Sequence, residues 1–298
     1  MRINPVIKYM VWILPLCISL LSCNSKTSDS TTGYQPEFSP DTSGQNTVIF
    51  AFPYFSFGEK AEPLIKYLNK HLKGAQLKSK CYADPSDYFD DLAKVKFDLT
   101  LVNGLYAIQA EKGGYSIKVK IAGGYSGVIV TRKEAKIKQV TDLKGKKIAF
   151  SSYKMFPSCM MPLYYLYQNG LDVNHDIIPV NVPTADASLV AAYSGESDAG
   201  FCLKRNWELN TKEHPEFLSR LELKWTTPPL PDLALIVKNT TDQKITVQIS
   251  GLLLSLHKTE EGRAALKSLG IDGFEKANTE TYKPMRDFKA KYDSIIHL

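Results

Sequence analysis

Residues 140–150 read Val140-Thr141-Asp142-Leu143-Lys144-Gly145-Lys146-Lys147-Ile148-Ala149-Phe150. A polar turn closing at Gly145 hands over to a compact apolar run, Lys147 to Phe150, with the length and composition of a buried strand. The next signals are helical. Pro157 suits a first helical position and Asn169-Gly170 a stop, so a helix is predicted from about Pro157 to Gln168.

The same strand-then-helix unit recurs on both sides of this stretch. Upstream, Val48 to Phe52 reads as a strand, followed by Leu64, Ile65, Leu68 and Leu72 at helical spacing. Leu77 to Tyr82, a helix capped near Ser86, and the buried strand Phe97 to Val102, ending at Asn103-Gly104, repeat it. Downstream come Ile177 to Val182, a helix from Thr184 to Tyr193 and the strand Asp198 to Leu203. After Leu221 to Thr227 the chain is broken by Pro228-Pro229-Leu230-Pro231 and resumes as the strand Asp232 to Lys238. Ile245, Ile249, Leu252, Leu253 and Leu256 then share one helix face, and Gly262 to Leu269 and Thr279 to Ile295 form two more amphipathic helices. Such alternation predicts an α/β protein whose sheets are mostly parallel and covered by helices.

The order of the blocks predicts two lobes. Residues 47–125 and 227–298 form a discontinuous first lobe and 126–226 an inserted second lobe, with hinge crossings near Gly124 to Gly127 and near Thr226 to Leu233. Lobes joined by two crossings rotate as rigid bodies, and a ligand touching both favours the closed form.

The amino terminus predicts export. Arg2 and Lys8 precede an apolar run from Tyr9 to Leu21 that is too short to span a bilayer and carries Pro15, and Leu20-Leu21-Ser22-Cys23 follows. These four residues look like a bacterial lipobox. Residues 1–22 are read as a lipoprotein signal peptide, Cys23 as the lipid attachment site, and 23–46, rich in Ser, Thr, Asp, Gly and Pro, as a flexible tether. An ordinary secretory signal is the alternative.

Composition narrows the partners. The formal charge of +6 falls to about +4 without Arg2 and Lys8, and the remaining charges are interspersed, so no nucleic-acid surface is expected. Cys81, Cys159 and Cys202 remain after the signal and lipid site are set aside, an odd number that cannot all pair internally. The five histidines are isolated, which gives no argument for zinc.

Five segments in order resemble the phosphate/phosphite/phosphonate family of type 2 periplasmic solute-binding proteins. They are Val130-Thr131-Arg132-Lys133, the opening stretch Thr141 to Phe150, Asp198-Ala199-Gly200, Trp225 to Pro231, and Leu269-Gly270-Ile271-Asp272-Gly273-Phe274. The resemblance implies a bacterial envelope protein, periplasm-facing or at the surface, that hands a small anionic or amphipathic solute to an ABC permease. It implies no cofactor and no catalysis, and a monomer suffices for that role. A site between the lobes is also implied, with an aromatic residue after the first strand and a tyrosine after a Gly-containing turn. Tyr54 and Tyr106, beside Asn103, match those two positions.

The inserted lobe departs from the family pattern. Met155-Phe156-Pro157 stands where similar proteins carry Ser-Thr-Ser, Ala185 where a histidine is expected, and Leu203-Lys204-Arg205 where an acidic residue is expected. The helix-start amides around Ser158 to Met160, with Ser158 and Cys159 themselves and the cations Lys154, Lys204 and Arg205, are the candidate replacements for gripping an anion. Cys159 at a helix start is expected to have a slightly lowered pKa. A soft-metal reading places Cu(I) on Met155, Cys159, Met160 and Cys202. A ligand sensor or accessory lipoprotein is a further alternative, and no hydrolase, zincin or phosphate-loop motif supports an enzyme.

Overall fold

The computed structural model describes residues 46–153 and 155–297; the predicted signal peptide, Cys23, the tether up to residue 45 and Lys154 lie outside the described residues. The chain opens with β1 (Asn46–Phe52), α1 (Phe55–His71), β2 (Ala75–Cys81), α2 (Pro85–Ala93), β3 (Leu99–Val102), α3 (Gly104–Gly113) and β4 (Tyr115–Ile121). It crosses through β5 (Gly124–Tyr125) to β6 (Gly127–Arg132), β7 (Lys147–Phe150), α4 (Met161–Gln168), β8 (Ile178–Asn181) and α5 (Ala185–Ser194). β9 (Ala199–Leu203), α6 (Lys204–Glu213), α7 (Phe217–Arg220) and β10 (Leu221–Thr226) follow. β11 (Leu230–Pro231) returns to β12 (Ala234–Lys238), α8 (Gln243–Ser255), α9 (Glu260–Leu269), β13 (Phe274–Lys276) and α10 (Lys283–Ile295).

Two principal sheets result, in the orders β13-β4-β12-β3-β1-β2 and β10-β6-β9-β7-β8, and β5 pairs with β11 as an antiparallel ribbon at the crossings. The sheets are mixed rather than mostly parallel. β2-β1-β3 and β8-β7-β9 are parallel, as their helical connections require, whereas β6 and β12, entering directly from the crossings, lie antiparallel to their neighbours. α3 and β4 were not read in the sequence: Gly104 looked like a turn but is the first residue of a helix capped by Asn103.

The segments carrying the family resemblance prove to be structural joints. Asp142 accepts the backbone amides of Lys138 and Gln139 at 2.8 and 3.1 Å, fixing the turn before β7. Asp198 joins Arg132 at 3.3 Å to the Lys147 amide at 3.1 Å and so ties β6, β7 and β9 together. Gly200 lies so close to Ser188 that an added Cβ would meet its carbonyl oxygen at 2.5 Å, which lets α5 pack directly on β9.

A third connection supplements the two crossings. Tyr282 and Met285, at the start of α10, are buried in the first lobe's core, while Tyr292 and Ile296 are buried in the second lobe's. Phe288 touches both, and Asn174 of the second lobe accepts the His297 amide at 3.0 Å.

Candidate functional site

In open α/β sheets a ligand crevice forms outside the carboxyl ends of the strands, where the strand order reverses. β1 has β2 on one side and β3 on the other, so the first sheet's reversal lies between β1 and β3. Tyr54 follows β1 there, and Asn103 and Tyr106 follow β3. In the second sheet β7 sits between β8 and β9, and the reversal brings together the segment after Phe150 and the start of α6 at Lys204 and Arg205.

The first-lobe residues are exposed and shaped by their helix starts. Tyr54 is 49% exposed and Tyr106 44%, and the Tyr106 ring leans on Phe89 at 4.6 Å. Tyr54 is the N-cap of α1 but makes no side-chain cap bond, so this 17-residue helix opens with amides that no side chain of its own cap serves. Asn103 is different. Its Oδ1 accepts the Leu105 amide at 2.9 Å and one N–H of its Nδ2 donates to the Tyr125 hydroxyl at 2.9 Å, so it fixes the helix start and keeps a single second N–H.

In the second lobe most of the predicted anion-gripping groups are already engaged. The Cys159 and Met160 amides both donate to the Met155 carbonyl, at 3.0 and 3.1 Å. Pro157 has no amide to offer. Residues Phe156–Met160 form a widened π turn, in which the Met161 amide reaches the Phe156 carbonyl. Pro162 accounts for this, because its ring would crowd the Ser158 carbonyl in a tight α turn. The Phe156 ring packs 6.1 Å from Tyr125 and 5.1 Å from Phe288, filling the junction of the lobes with apolar mass.

The two described cations differ. Lys204 lies 3.7 Å from Glu208, one turn along α6, and stays exposed. Arg205 pairs across the lobes with Asp232, which is buried, takes the Leu233 amide at 2.7 Å and offers its backbone carbonyl to the Tyr282 hydroxyl at 2.8 Å. Burial pushes the Asp232 carboxyl up, and the Arg205 guanidinium partly offsets that. Burial, reinforced by the Asp232 charge, pushes the Tyr125 phenol well above its usual range.

The sulfur atoms do not converge. Side chains alternate along a strand, so Phe201 and Cys202 point to opposite faces of the second sheet. Cys159 packs with Phe201 on one face, and Cys202 packs with Val128 and Val130 on the other. Met155 is exposed, whereas Met160 packs against the cores. Burial pushes both thiols strongly upward, so the expected lowering at Cys159 is overturned by desolvation. Among the described residues no group of three or more His, Cys, Asp or Glu side chains could hold a metal ion.

Three buried hydroxyls of the second lobe lack a hydrogen-bond partner, those of Ser151, directly after β7, Ser158 and Ser197, and Ser197 lies before β9 rather than at the strand ends that face the crevice. Sequence reading singled out Ser158 but missed Ser151, Tyr125 and Asp232. A signal for Asp232 was present, since an acid directly after a proline-rich crossing and before the apolar run Leu233 to Val237 must be buried or paired.

A family model described as ABC transporter, phosphonate, periplasmic substrate-binding protein matches residues 56–282. A probable ABC transporter phosphite binding protein of Prochlorococcus marinus is 27% identical over 215 residues, covering 66% of this chain and 72% of that protein. A solved Prochlorococcus marinus structure, in complex with methylphosphonate, superimposes with a TM-score of 0.71 at 22% identity, covering 85% and 99% of the two chains. A binding protein component of an ABC phosphonate transporter from Pseudomonas aeruginosa does so with a TM-score of 0.69 at 17% identity, covering 84% and 87%. The chain therefore belongs to the family of periplasmic substrate-binding proteins of phosphonate ABC transporters, built on the type 2 periplasmic-binding-protein fold. Its family role is binding rather than catalysis.

Proposed function

We propose that this chain captures a small oxyanion or organic acid bearing an apolar body, and delivers it to an ABC permease as a monomeric, lipid-anchored envelope protein. The carrying observation is the pair of exposed tyrosines, Tyr54 and Tyr106, on adjacent strand ends beside the uncapped start of α1. A phenol offers a flat apolar face and one hydrogen-bonding group, and the helix start offers amides aligned with the peptide dipoles, a combination that favours an anion carrying an organic part.

Methylphosphonate is the ligand in the Prochlorococcus marinus structure. A simple phosphonate is a poorer match here, because Met155-Phe156-Pro157 supplies no hydroxyls and Arg205 is held by Asp232. The ligand class we favour is an organic acid larger than methylphosphonate.

A thermal-shift screen of the domain from Gly44 onward tests the reading, with phosphonates, phosphite, phosphate, sulfonates and small carboxylates as ligands. A ligand at 100 times its dissociation constant stabilises by about 2.7 kcal/mol. At least one organic acid should raise the melting temperature more than phosphite does, and Tyr106→Ala should abolish the rise; a screen without any shift refutes the proposal. For the anchor, Cys23→Ala should move the full chain from the membrane fraction to the soluble fraction.

A further inference from the structure

Behind the crossings lies a cavity of about 330 Å³ that the strand-end site does not use. α4 presents Met161, Tyr164, Tyr165 and Gln168 to it, and α10 presents Pro284, Asp287, Phe288 and Lys291. Both sets fall at i, i+3, i+4 and i+7, a single stripe on each helix. The returning crossing closes one side with Pro228 and Leu230.

The walls are flat and apolar: Tyr164 meets Phe288 edge-on at 5.0 Å, and the prolines add rigid surfaces. Two opposite charges stand on one wall. Asp287 and Lys291 are exposed, lie one helical turn apart, and neither side chain takes part in an ion pair among the described residues, although neighbouring charged residues of α10 do: Lys289 with Asp293 and Arg286 with Glu280. A carboxylate and an ammonium so spaced complement a molecule carrying both signs, while the aromatic walls suit a planar or branched apolar group. We propose that this cavity is a second ligand site, separate from the strand-end crevice, for a small zwitterion with an apolar side chain, of the chemical class of an aromatic or aliphatic α-amino acid.

Equilibrium dialysis of the intact domain with radiolabelled L-phenylalanine tests the site. Saturable binding is expected, with phenylacetate and phenethylamine, each lacking one charge, competing more weakly than unlabelled L-phenylalanine. Asp287→Asn and Lys291→Gln alter exposed side chains and should each weaken binding by about threefold. Gln168→Trp, also at an exposed position, should fill the cavity and abolish binding while leaving any oxyanion-induced thermal shift in place. Absence of saturable binding at millimolar ligand overturns the proposal. So does binding that survives Gln168→Trp, or binding lost in Tyr106→Ala but kept in Gln168→Trp, which would locate it in the strand-end crevice.

Discussion

The two strand-order reversals are built alike and equipped differently. At the first, β1 and β3 end in helix starts whose tyrosines are exposed and uncommitted. At the second, the turn after β7 has its Cys159 and Met160 amides on the Met155 carbonyl, and the helix start after β9 has its Arg205 guanidinium on Asp232. The lesson is that sharing a family's fold preserves where a crevice forms but not what fills it. Here Arg205 of the second lobe is turned to a contact with the first lobe, and Phe156 adds an apolar one.

That contrast can be broken most forcefully at Phe156. It is 5% exposed at the lobe junction, and Phe156→Ala should cost about 3 kcal/mol or more in urea denaturation because the vacated volume cannot be refilled by neighbouring rings. A cost below about 1 kcal/mol would show that the junction is loosely packed.

The Arg205–Asp232 pair should give an asymmetric result. Arg205→Met leaves a buried carboxylate without its partner and should cost about 2 to 3 kcal/mol at neutral pH, whereas Asp232→Asn leaves a guanidinium that is 37% exposed and can hydrate, and should cost about 1 kcal/mol. The Asp232 carboxyl is raised in the folded state, so the folded form binds its proton in a pH window where the unfolded chain does not. Its contribution to stability is full below the ordinary carboxylate range and is lost as pH rises through the folded value. Removing Arg205 widens that window, and the Arg205→Met penalty should shrink on acidification. A pH-independent penalty would mean that Asp232 keeps its charge without Arg205.

The sharpening experiment is milder. Tyr54→Ala should change stability by no more than about 0.5 kcal/mol, because the ring is half exposed, yet it should reduce the ligand-induced thermal shift. Smallest of all is an effect on labelling order. Among the described cysteines, half-buried Cys81 should react with a thiol reagent before Cys159 and Cys202, whose burial suppresses the thiolate.

Much of this architecture could be read from residue order. Apolar runs bounded by turn residues located β1, β2, β7, β9 and β12, and the stripe Ile245, Ile249 and Leu253 located α8, because burial imposes a period on the chain. The strand-end positions of Tyr54 and Tyr106 followed from the same pattern. What residue order concealed was pairing at long range. Arg205 and Asp232 are 27 positions apart and meet only because the crossing folds back. The Cys159 amide is taken by an ordinary i→i−4 bond to Met155, and the Met160 amide by the widened turn before Pro162, whose effect depends on three-dimensional crowding rather than on composition. Gly104 misled as a turn because its backbone is helical; the packing of Tyr282 and Met285 against it, with a Cβ there only 2.0 Å from the Tyr282 ring, is what requires a glycine.

The bridging helix α10 carries a consequence for biogenesis. The residues that fasten the two halves together follow every strand of both sheets in the chain, so the sheets are synthesised before the helix that joins them. A chain cut short before Lys283 would contain both sheets yet leave the slots for Tyr292 and Ile296 open to water, presenting a greasy seam to proteases and chaperones. Docking of this one helix therefore closes both cores at once.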